Sequence, residues 1–267
     1  MGVDSSDSDE ANPVALGWRH RAARLAGGGA RAVADLIVPP VCLACHDPLA
    51  VHDALCASCW GQIDFIRAPL CDRLGVPLPF DTGGIMVSAA AVADPPDYDR
   101  ARAVAAFSGT IQKLIRGFKY SDRHDGRRLF GRWLLAAGGH LIADCDVVVP
   151  IPLNRWRLLH RRFNQSAILA NELARLTGCR VAPLALERIK ATPSQVGLTT
   201  AERQTNVAGA FRVSSARRAE IAGRRVLVID DVITTGATCN SAARALKSAG
   251  AARVDVLALA LVTHTVS

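Results

Sequence analysis

Two adjacent carboxylates, Asp230 and Asp231, follow the apolar run Val226-Leu-Val-Ile229 and precede Val-Ile-Thr234-Thr235-Gly236-Ala237-Thr238. The apolar run has the length of a buried strand, so the acids are expected at its carboxyl end, where ligands bind in open α/β sheets. A turn of threonines and one glycine leading into a helix presents backbone N–H groups, hydroxyls and the positive end of the helix dipole, which together make an anion cup. Gly236 lets the backbone approach a phosphate with no Cβ in the way. Carboxylates that accept hydrogen bonds from vicinal hydroxyls, beside a cup for phosphate, suit a phosphorylated sugar. Helix capping by Asp and Thr would explain one or two of these residues, not the whole run 226–238. No Gly-Lys-Ser/Thr follows, so this is not a Walker loop, and it is not the dinucleotide fingerprint.

A second group of reactive side chains lies far upstream. Cys42-x-x-Cys45 and Cys56-x-x-Cys59 are separated by ten intervening residues, with Gly61 after the second pair. Two such knuckles can set four thiolates tetrahedrally around zinc in a closed structural site; the competing reading is four free thiols in a loop-rich segment. The segment has too few apolar residues to fold alone, so metal would supply its folding energy. His46 and His52 are further conceivable ligands, although loop histidines are more often simply exposed. Cys145, Cys179 and Cys239 are isolated and read as packing residues.

A third group is basic. Arg155, Arg157, His160, Arg161 and Arg162 follow a short apolar run that ends at Pro150. Guanidinium groups placed there would clamp a pyrophosphate bidentately; seen alone, the same run would be the solvated face of a helix. Lys190, Gln195 and Arg203 could close over the same ligand, or only keep a loop in water.

The elements that must hold these groups follow from hydrophobic period. Strands are expected over 101–107, 146–150, 224–229 and 254–262. Helices are expected over 110–119, 127–141, 164–176 (closed by Gly178) and 237–248 (ended by Gly250). Alternating strands and helices give an α/β fold, a parallel sheet with helices on both faces. Residues 1–15, with Asp4, Asp7, Asp9 and Glu10, read as a disordered acidic tail. A basic Ala-rich stretch to about Val38 follows, then a zinc-ribbon-like module over 36–70, a Pro/Gly-rich linker over 71–97 that reads as a degenerate second ribbon, and the main domain over 98–267. No internal repeat is visible.

The 267 residues carry a formal charge of +8, which favours phosphates, pyrophosphate, nucleic acid or an acidic membrane surface without choosing among them. No stretch is apolar enough for membrane insertion, and the acidic N-terminus is no secretory signal, so a cytoplasmic protein is expected.

The segment 226–238 closely resembles the 5-phosphoribosyl-1-pyrophosphate (PRPP) motif of type I phosphoribosyltransferases, and the chain is most similar to the ComF family of competence-associated proteins. Further stretches carry the likeness: Asp146-Val-Val-Val-Pro-Ile-Pro-Leu-Asn154 leading to Arg161-Arg162-Phe163-Asn164-Gln165, Thr192-Pro-Ser-Gln195 with Gly197-Leu198 and Glu202-Arg203-x-x-Asn206, Ile115-x-x-x-Lys119-Tyr120, and Pro39-Pro40-Val-Cys42-x-x-Cys45. The resemblance implies a type I phosphoribosyltransferase fold in which Asp230 and Asp231 hold the ribose hydroxyls and serve catalysis. It implies that Thr234, Thr235, Gly236, Ala237 and Thr238 hold the 5-phosphate, and that Arg161, Arg162, Asn164 and Lys190 hold pyrophosphate. Mg²⁺ would arrive with PRPP, structural Zn²⁺ would sit on Cys42, Cys45, Cys56 and Cys59, and a base of unspecified identity would be the acceptor. The family's link to DNA uptake implies single-stranded DNA or a competence helicase as alternative partners, with Trp60, Trp133 and Trp156 as candidates for base stacking. Two departures stand out. Arg162 occupies the place of a usual glycine, and a second cysteine cluster is reduced to Cys71, with Leu74 at its partner's position, so one zinc is expected.

Overall fold

The computed structural model describes residues 39–120, 126–153, 163–190 and 209–263. Four parallel strands make the central sheet: β1 (Arg100–Ala106), β2 (Val147–Pro150), β5 (Arg225–Ile233) and β6 (Arg253–Leu261), in the order β1-β6-β5-β2. All four residues of β2 and all of β6 after Arg253 are buried. Such unbroken apolar strands are what a parallel sheet covered on both faces requires. On one face lie α3 (Gly109–Tyr120), α4 (Arg127–Asp144) and α5 (Gln165–Thr177), packed through Ile111, Leu134 and Leu169 onto Leu227, Ile229 and Leu257. On the other, α6 (Ala237–Ser248) places Ala242, Ala243 and Leu246 against Val226, Val228 and Val256.

The helices begin and end where the residue chemistry demands. Asn164 caps α5, its side chain accepting from the Ser166 N–H at 3.1 Å, and Gly178 closes it at φ 74°. In α3, Ile111, Leu114, Ile115 and Phe118 are all buried, as their spacing requires. The backbone of α4 kinks at Gly138, where a Cβ would stand 2.6 Å from Leu257 Cδ1 and 2.7 Å from Cδ2. Gly138→Ala therefore forces the helix away from β6 and is expected to cost about 1–3 kcal/mol, measured by urea denaturation.

Three features differ from the sequence reading. First, an antiparallel hairpin of β3 (Leu186–Arg188) and β4 (Phe211–Val213) packs beside α6; its three-residue strands are too short to carry a readable period. Second, β5 runs to Ile233 rather than stopping at Ile229, so both acids lie within the strand. Third, an internal repeat is present, made by the first ribbon and the degenerate second one.

Val41 bridges Pro48, and the N–H groups of Cys42 and His46 donate to Asp47 O and Cys42 O at 2.8 and 2.9 Å. Leu70 bridges Pro77 in the same way, and Cys71 and Gly75 donate to Val76 O and Cys71 O at 2.9 and 2.8 Å. His46 at φ 65° corresponds to Gly75 at φ 70°. A short helix closes each half: α1 (Ala57–Gly61), capped by Cys56, and α2 (Ala89–Ala93), capped by Ser88. The repeat lives in backbone hydrogen bonds. Its trace in the sequence is small: Pro40, Cys42, Pro48 and Leu49 recur as Pro69, Cys71, Pro77 and Leu78.

Candidate functional site

The four ribbon thiols come together. The Sγ atoms of Cys42, Cys45, Cys56 and Cys59 all lie within 4.8 Å of one another. Burial pushes the Cys42 thiol up, but the N–H groups of Cys45, Cys56 and Ala44 outweigh it and hold the group down at about 6. Four thiols brought this close fit a closed structural zinc site. In the second half the corresponding positions are Cys71, Leu74, Ser88 and Ala91. The Ser88 N–H donates to Cys71 Sγ at 3.2 Å, as Cys56 N–H does to Cys42 Sγ at 3.3 Å, and the Ala91 N–H donates to Ser88 Oγ. The architecture persists although three of four ligand positions have lost their thiols.

The first ribbon leans on the main domain through aromatic rings. Trp60, Phe65 and Trp133 of α4 form a triangle with centroids 5.0, 5.4 and 5.7 Å apart. Trp133 is 7% exposed and packs in the core, so it is no platform for nucleic-acid bases; Trp60 is 48% exposed.

The acid pair stands where the edge of the sheet falls away. Pro150, the last residue of β2, pairs with Ile229, and β5 continues alone past it on that side. Asp230 Oδ1 accepts from its neighbour's backbone, Asp231 N–H, at 2.9 Å and from Ser166 Oγ, at the start of α5, at 3.3 Å. Asp231 Oδ2 is 2.7 Å from Lys119 Nζ on α3. Burial, then the Asp231 charge, push Asp230 up to about 7, against the opposing pull of the Asp231 N–H, Lys119 and Ser166. Burial, with the same two carboxylates adding to it, holds the Cys239 thiol protonated.

Beyond Ile233 the chain turns through Thr234 and Thr235 to Gly236, whose φ of 74° starts α6. That left-handed conformation is cheap only for glycine. Thr235 Oγ is buried with no hydrogen-bond partner among the described residues, and so is Oε1 of Gln165, whose Nε2 donates to the Lys119 carbonyl at 3.4 Å. Such atoms cost about 1–3 kcal/mol each unless something satisfies them. A ligand oxygen in the turn would do so for Thr235.

The remaining expected site residues are spread more widely. Asn164 spends its side chain on the backbone: Oδ1 caps α5 and Nδ2 donates to Ile151 O at 2.9 Å. Lys190 follows β3, its Nζ 3.6 Å from the place a Cβ on Gly209 would take. Arg155, Arg157, His160, Arg161 and Arg162, with Trp156, lie outside the described residues, as do Gln195, Arg203, the acidic tail and the Ala-rich stretch that follows it. Lys119 and Ser166 join the site from outside the residues that the motif points to, although each stands next to or within a stretch that carries the resemblance.

Residues 33–90 match the double zinc ribbon domain and residues 164–265 the phosphoribosyl transferase domain. DNA utilization protein YhgH of Escherichia coli K12 is 31% identical over 230 residues, covering 84% of this chain and 98% of the relative. Competence protein F of Haemophilus influenzae is 27% identical over 225 residues, covering 82% and 96%. Among solved structures, a glutamine PRPP amidotransferase from B. subtilis overlaps 54% of this chain and 30% of its own at 24% identity, with a TM-score of 0.36. No helix among the described residues is long and apolar enough to cross a membrane. With a ribbon pair ahead of a parallel-sheet phosphoribosyl transferase domain, and relatives matched almost end to end, the chain belongs to the ComF family.

Proposed function

We propose that this protein binds PRPP together with Mg²⁺ and transfers its phosphoribosyl group to a nitrogenous base, releasing pyrophosphate. The observation that carries the reading is the acid pair set beside a threonine turn whose Thr235 hydroxyl is buried without a partner at the head of α6. Asp230 and Asp231 accept hydrogen bonds from the ribose hydroxyls, and 234–238 hold the 5-phosphate through N–H groups and hydroxyls. Arg161, Arg162 and Lys190 meet the pyrophosphate, while Asn164 acts one step away by tying the loop after β2 to α5. The bond from C1 to the pyrophosphate oxygen breaks, the bond from C1 to the base nitrogen forms, and the nitrogen gives up its proton. Carboxylates under the ribose favour the positive charge that develops at C1. Bound Mg²⁺ supplies charge to the departing pyrophosphate. Zinc on Cys42, Cys45, Cys56 and Cys59 is structural.

The names of the relatives, DNA utilization protein and competence protein, favour a second reading, in which the basic chain binds single-stranded DNA during DNA uptake. A non-catalytic PRPP sensor is the third. Calorimetry with Mg²⁺–PRPP, pyrophosphate release across a panel of purine and pyrimidine bases, and oligonucleotide binding at low salt separate the three. The expected result is PRPP binding and release of pyrophosphate with one class of base. Binding without release by any base leaves the sensor, and no PRPP binding with salt-sensitive oligonucleotide binding leaves the DNA reading.

A further inference from the structure

The second ribbon half has kept its shape without its metal site, and its turn is pressed onto the main domain. Arg73, one residue before Leu74, donates from Nη2 to the carbonyls of Pro96 at 2.7 Å and Tyr98 at 2.9 Å. The Asp72 carbonyl accepts from Ala101 N–H at 3.3 Å and Arg102 Nη1 at 3.0 Å, and its carboxylate pairs with Arg102 Nη2 at 2.6 Å. Gly75 allows the contact: with φ at +70°, a Cβ there would stand 2.7 Å from Ala101 O.

On its other side the same short connection is stitched to α6 and β6. The Asp97 N–H donates to Asn240 Oδ1 at 2.9 Å, and the Asp97 carboxylate pairs with Arg244. Asp99 pairs with Lys247 at 3.0 Å and accepts from Val254 N–H at 2.8 Å. Between these two residues Tyr98 is driven inward, 2% exposed. Its hydroxyl lies 3.6 Å from the position a Cβ on Gly236 would take, against the turn that precedes α6. Burial raises its phenol well above the ordinary range, and the hydroxyl is protonated at neutral pH.

We propose that Tyr98 is a positioning residue for the 234–238 turn, and that the second ribbon is the bracket that seats it. A bracket explains why the fold of this half outlasts its cysteines: Arg73 and Asp72 do the docking, and neither needs metal. The inference rests on the PRPP reading, since it assigns the turn to the 5-phosphate.

The test is calorimetry of wild type, Tyr98→Phe and Arg73→Met with three probes: PRPP, ribose 5-phosphate and inorganic pyrophosphate. Removing the hydroxyl takes away its packing against the Gly236 backbone and is expected to raise the Kd for PRPP and ribose 5-phosphate by about 5- to 10-fold while leaving pyrophosphate binding unchanged. The melting midpoint of Tyr98→Phe should stay near that of wild type. Arg73→Met should weaken the same two ligands, and Arg73→Lys should restore part of the affinity. Wild-type affinity for ribose 5-phosphate in Tyr98→Phe would overturn the proposal. So would a uniform loss for all three probes together with a lower melting midpoint, which is the mark of a merely structural tyrosine. Wild-type protein that binds none of the three fails the PRPP reading itself, and the inference goes with it.

Discussion

Asp231→Asn and Asp230→Asn are each expected to weaken PRPP binding by about 100-fold or more while the protein stays folded. A hydrogen bond to a charged acceptor is worth about 1.5–3 kcal/mol, and each carboxylate is placed to take one or two from the ribose. The two variants differ in what they do to the empty protein. Asp231→Asn removes the partner that Lys119 holds at 2.7 Å, leaving a half-buried ammonium uncompensated, and should destabilise it. Asp230→Asn removes a carboxyl that the fold already disfavours as an anion.

The sign follows from proton linkage. The Asp230 carboxyl, ordinarily at 3.8, is raised to about 7, so between these values the native state keeps a proton that the unfolded chain has released. Its contribution to stability is therefore full below about 4, declines as pH rises, and is lost above about 7. Asp230→Asn should flatten that decline and raise the melting midpoint at neutral pH. Ribose hydroxyls and a bound cation favour the ionised form, so PRPP binding should release a proton below pH 7. Affinity should climb by up to about tenfold per pH unit up to the Asp230 titration and level off above it. Calorimetry in buffers of different ionisation enthalpy reads the proton directly. Unchanged PRPP affinity in both variants would remove the sugar site from this strand.

Purified protein is expected to carry one equivalent of zinc, not two, despite the match to a double ribbon. Four thiols within 4.8 Å make one closed site, whereas Cys71 has Leu74, Ser88 and Ala91 for company. Cys59→Ser should lose the metal, and Cys71→Ser should keep it. The energetic effect is large, because metal binding is folding energy in such modules, about 10–16 kcal/mol in zinc-finger peptides. Loss of zinc should also be visible at a distance. The Trp60–Phe65–Trp133 cluster joins the first ribbon to α4, so chelation should red-shift tryptophan emission as the rings separate. Two equivalents in metal analysis, or fewer than about half of one, would sink the assignment.

The sequence by itself determined the parallel α/β architecture, because apolar runs at strand length alternating with helices of period 3.6 leave few other folds. It also determined the local chemistry: the Cys-x-x-Cys pairs and the 226–238 run are contiguous, so their geometry follows from the turns they adopt. Tertiary structure decided whatever joins distant segments. Lys119 meets Asp231, and Ser166 meets Asp230, only because α3 and α5 lie on the same face of the sheet. The raised Asp230 carboxyl follows from burial and a neighbouring charge, and burial is a property of the packed layers. The second ribbon is only partly legible in the sequence for a related reason. Its repeat is written mostly in backbone N–H and C=O groups, which every residue has, while of the four ligand positions only Cys71 keeps the side chain that would announce it.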